Sequence, residues 1–113
     1  MLEKIKLLEQ AAAPLDPSSS IRKDMTAQVS DYAESFLNKL PEMNTYEPDE
    51  GRSDLLEGTF DEQPADMAGL LALLDTAVNH EGINPASGGH IGYIPGGGIY
   101  PAALGDFLAD VSN

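Results

Sequence analysis

Apolar positions recur at helical spacing in four stretches of this chain. Leu2, Ile5, Leu8 and Ala12 step by three and four, which predicts a first helix over residues 2–13. Pro14 and Pro17 end it, because proline lacks the N–H that an interior helix position donates. Ser18, Ser19 and Ser20 then offer hydroxyl caps for a second, longer helix. Its apolar stripe is Met25, Val29, Tyr32, Ala33, Phe36, Leu37 and Leu40, and Pro41 stops it. A third stripe runs through Met67, Leu70, Leu71, Leu74 and Val78. Pro64 suits its first turn, with Asp61 or Gln63 near the cap and Asp66 complementing the helix dipole. It is expected to end near Asn79–Gly82. Pro101 opens a fourth helix, with Leu104, Phe107, Leu108 and Val111 on one face.

Two stretches break the period. Between residues 42 and 62, eight acids (Glu42, Glu47, Asp49, Glu50, Asp54, Glu57, Asp61 and Glu62) face only Arg52. With Pro48, Gly51 and Gly58 among them, this segment reads as an exposed connection with one helical turn near Asp54–Glu57. Residues 83–99 are expected to be irregular or extended. The run His90–Ile94 could be a strand, but nothing in the pattern supplies it with a partner. The fold class predicted is therefore mainly α: three or four amphipathic helices with an extended glycine-rich loop.

The chain has 113 residues, enough for one domain with a modest core. Nineteen acids against six basic residues give a formal charge of −13. Such a surface is wrong for nucleic acid, whose phosphates need cations, and for an anionic membrane surface. No apolar run approaches the roughly 20 residues that span a bilayer, and the start MLEKIKLLEQ has no continuous apolar stretch of the signal-peptide kind. These features predict a cytoplasmic location. The absence of cysteine excludes disulfides and thiolate zinc sites.

The densest cluster of unusual residues is Ser87–Pro101, SGGHIGYIPGGGIYP. Gly88-Gly89 and Gly96-Gly97-Gly98 flank Ile91, Tyr93 and Ile94, a combination that fits the wall of a site whose backbone must approach another group closely. Its apolar residues have few candidates in the chain to pack against, so they are expected to meet another surface. The PGGG turn before a helix could cradle a phosphate, yet it lacks the Lys-Ser/Thr pair of a P-loop. His80 and His90 match no common zinc spacing, so no metal site is expected. His80 suits a helix C-terminus, and His90 could reach a pocket. No serine, lysine or tyrosine stands in a context that activates it, so no catalytic residue is assigned.

The segment Asn84–Asn113, NPASGGHIGYIPGGGIYPAALGDFLADVSN, resembles the N-terminal region of the group II pyridoxal-phosphate-dependent decarboxylases, the aromatic-L-amino-acid, glutamate and histidine decarboxylases. The shared elements are Tyr93-x-Pro95, a turn of small residues, Tyr100-Pro101-Ala102, and a helix with Leu104 and Asp106. The resemblance implies that the chain is the N-terminal appendage of a fold-type I enzyme. Residues 1–82 would form a helical dimerisation segment. Residues 83–113 would form an active-site loop and the first helix leading into the cofactor domain. It further implies an amino-acid substrate, a homodimer joined through the N-terminal helices, and substrate-side contacts from Tyr93, Ile94, Pro95 and Gly96. Many animal relatives carry a threonine where this chain has Gly96, and an aromatic where it has His90. The cofactor, pyridoxal 5'-phosphate, would take up the electrons left when CO2 departs. The lysine, acid and histidine that serve it in the family lie far downstream of the matching region. The alternative from the residues themselves is a stand-alone acidic helical module that binds another protein.

Overall fold

A computed structural model describes residues 1–48, 64–79, 82–91 and 98–112, and these are mainly helical. Helix α1 spans Leu2–Ala12 and gives way to a 3-10 turn at Ala13–Leu15, where Pro14 takes an early position that needs no N–H donor. Helix α2 spans Ser19–Lys39. Ser18 is its N-cap: its hydroxyl accepts from the Ile21 N–H at 3.4 Å, and Arg22 N donates to Ser18 O at 2.9 Å. Pro41 sits in the 3-10 turn Leu40–Glu42 that ends this helix.

Helix α3, Met67–Leu74, starts later than the sequence suggests. Pro64 lies ahead of it in irregular chain, and the cap is Asp66 rather than Asp61 or Gln63. The Asp66 carboxylate accepts from Gly69 N–H at 2.7 Å, which satisfies an otherwise free first-turn donor and outcompetes proline at N1 as the start signal. Past Leu74 the helix widens into a π-turn over Asp75–Asn79, where the Thr76 hydroxyl donates to Ala72 O at 3.0 Å. Helix α4 spans Tyr100–Ser112, with Pro101 in its first turn as expected.

One correction concerns strands. Tyr46–Glu47 (β1) pairs antiparallel with Gly82–Ile83 (β2), in the register Tyr46 to Ile83 and Glu47 to Gly82. The pair is too short to leave an alternating pattern, so periodicity could not reveal it. It also means that the acidic connection begins with ordered backbone. The helical turn expected near Asp54–Glu57 lies outside the described residues.

Packing is open. The main tertiary contacts join α2 to α3 and β1 to β2. Between the helices, Asn79 Nδ2 donates to Tyr32 Oη, and Phe36 and Leu71 line the same groove. Tyr32, Phe36, Met67 and Leu71 are half-buried where α2 meets α3, while Val29 and Leu37 of α2 and Leu70 and Leu74 of α3 stay exposed. Yet no hydrophobic residue is fully buried among the described residues, and Ser87 alone is buried, at 8% exposure. Along α1 and α4 every described side chain is exposed. Leu8 at 60% and Leu108 at 65% leave most of their surface in water. The Cα radius of gyration is 18.3 Å, against about 13 Å for a compact domain of this length. No described helix is long and apolar enough to cross a membrane.

Candidate functional site

The best-organised local structure is a polar clasp at the foot of the glycine-rich segment. It begins where α2 ends. Met43, Asn44 and Thr45 run alongside residues 84–90, and Asn84 N–H donates to Thr45 O at 2.8 Å, extending the two-residue strand pair. Asn84 then folds the chain back: its side-chain oxygen accepts from Ala86 N–H at 3.1 Å, and its carbonyl from Ser87 N–H at 3.2 Å. Short polar side chains of this type favour such turns because they mimic a backbone acceptor.

Ser87 is thereby placed inside the clasp. Its hydroxyl lies 3.3 Å from Met43 O and 3.2 Å from Thr45 Oγ1, and it accepts from Gly89 N–H at 3.4 Å. This explains how the one buried residue among the described residues can be polar: its hydroxyl has partners on three sides. His90 N–H closes the turn onto Ser87 O at 3.0 Å. Two glycines are required here. Gly82 has φ +86, in the left-handed region that side chains with a Cβ resist. Gly89 lies directly over Thr45, where a Cβ would collide with Thr45 Oγ1.

Beside the clasp, the end of α2, β1, the π-turn and β2 enclose an open cleft of about 300 Å³. Lys39, Glu42, Glu47 and Asp75 bring three carboxylates and one ammonium to its wall, together with the amides of Asn44, Asn79 and Asn84. All three amides already have partners: Asn44 Nδ2 donates to Glu47 Oε1, Asn79 Nδ2 to Tyr32 Oη, and Asn84 Nδ2 to Met43 Sδ at 3.9 Å. Among the described residues the wall holds no histidine, serine, threonine or tyrosine. Nor does it fit pyridoxal phosphate. A phosphate needs converging N–H donors and cations, and here carboxylates outnumber the single lysine.

The residues singled out from the sequence fall as follows. Tyr93, Ile94, Pro95 and Gly96 lie outside the described residues, as does His80. His90 is half-buried at the end of the clasp and is tied in through its backbone. The apolar residues on either side of the undescribed stretch find little cover: Ile91 is 88% exposed and Ile99 69%. The clasp residues Thr45, Asn84 and Ser87 were missed by a search for reactive groups. The available signal was Asn84-Pro85, a dipeptide that initiates turns, just ahead of the first glycine pair. No family model matches the chain, and neither a curated protein nor a solved structure matches it.

Proposed function

We propose that this chain is the N-terminal portion of a pyridoxal-phosphate-dependent amino-acid decarboxylase acting in the cytoplasm. It would supply dimer contacts and one wall of the substrate pocket. The observation that carries the reading is the run Asn84–Asn113, whose order of glycines, aromatics and helix start resembles that family. Two structural features support it. The apolar stripes of α1 and α4 are exposed, as expected of an appendage that completes its packing against other surfaces. The clasp orders residues 84–90, which lead into the run that carries Tyr93–Gly96.

On this reading the cofactor and the groups that handle protons belong to residues other than those of this chain. Pyridoxal phosphate, when bound there, would supply the electron sink for loss of CO2. This chain's part would be binding and orientation, with Tyr93, Ile94, Pro95 and Gly96 lining the substrate side of the pocket. The homodimer is held through the N-terminal helices.

Reading the source DNA beyond the codon for Asn113 tests the proposal. The expected result is an open frame of several hundred codons with a His-Lys pair well downstream. The longer protein should then release CO2 from an amino acid when pyridoxal phosphate is added, with Tyr93→Ala raising KM. A stop codon directly after Asn113 overturns the proposal and leaves the acidic interaction module as the reading.

A further inference from the structure

We draw no further inference here: the strongest candidate, the exposed apolar faces of helices α1 and α4, carries nothing beyond the dimer surface already proposed, because nothing in the structure shows what covers it.

Discussion

Substituting Gly89 by alanine tests the clasp directly. The added Cβ would collide with Thr45 Oγ1, and only two responses are open. Thr45 can rotate about χ1, which carries its hydroxyl away from the Ser87 hydroxyl 3.2 Å distant. That loses a part-buried hydrogen bond, a change of about 1 kcal/mol. Otherwise residues 87–90 must move off the strand pair, which loosens the Asn84 N–H to Thr45 O bond as well. Overpacking of this kind costs about 1–3 kcal/mol. The expected effect is therefore local opening of the clasp by about 5- to 150-fold. Amide hydrogen exchange at Asn84 and Ser87 reads it, since both N–H groups are bonded within the clasp. Thr45→Ala in the same background is the control. It removes Oγ1, and the next nearest Thr45 atom, Cβ at 3.6 Å, is an ordinary contact distance. Gly89→Ala should then add little to the change that Thr45→Ala makes alone. Unaltered exchange in Gly89→Ala, or an undiminished effect in the double variant, would refute the steric argument.

Other expectations follow from the same geometry. Gly82→Ala places a Cβ at φ +86 and should destabilise the strand pair by about 1–2 kcal/mol, seen as faster exchange at Asn84. Asp66→Ala should weaken α3 by about 1 kcal/mol through loss of the Gly69 N–H bond, whereas Asp66→Asn, an equally good cap, should largely preserve protection at Gly69. Phe107→Asp changes an exposed site (52%), so helicity of the isolated chain by circular dichroism should be nearly unchanged; a large loss would mean that α4 is packed after all. At a dilution where the chain is monomeric, small-angle scattering should give a radius of gyration near 18.3 Å, and a value close to 13 Å, about that of a compact domain, would contradict the open arrangement.

The helices were legible because each carries its own information. The stripe of α2, its serine cap and Pro41 are local signals, and the structure uses all of them. The start of α3 was less legible, because Pro64 and Asp66 both offer plausible beginnings and only the bond to Gly69 N–H decides between them. The strand pair and the clasp were hidden for a different reason. Thr45 and Ser87 are far apart in the chain, and neither sits in a periodic run. Serine, threonine and asparagine read as turn or cap residues until a distant segment is seen to meet them. The candidate wall residues Tyr93–Gly96 rest on a resemblance of motif, which local physics neither builds nor opposes.

Pairing Glu47 with Gly82 brings together two points separated by most of the acidic connection and by helix α3. Once such ends are joined, the entropy of the intervening chain depends only on the logarithm of its length, and doubling a flexible loop costs only about 0.6 kcal/mol. By that logarithm, insertions between Glu47 and Gly82 add little entropic cost to the register of Tyr46 with Ile83. The two halves of the clasp, residues 43–45 and 84–90, are therefore held by contacts that tolerate changes in their separation along the chain.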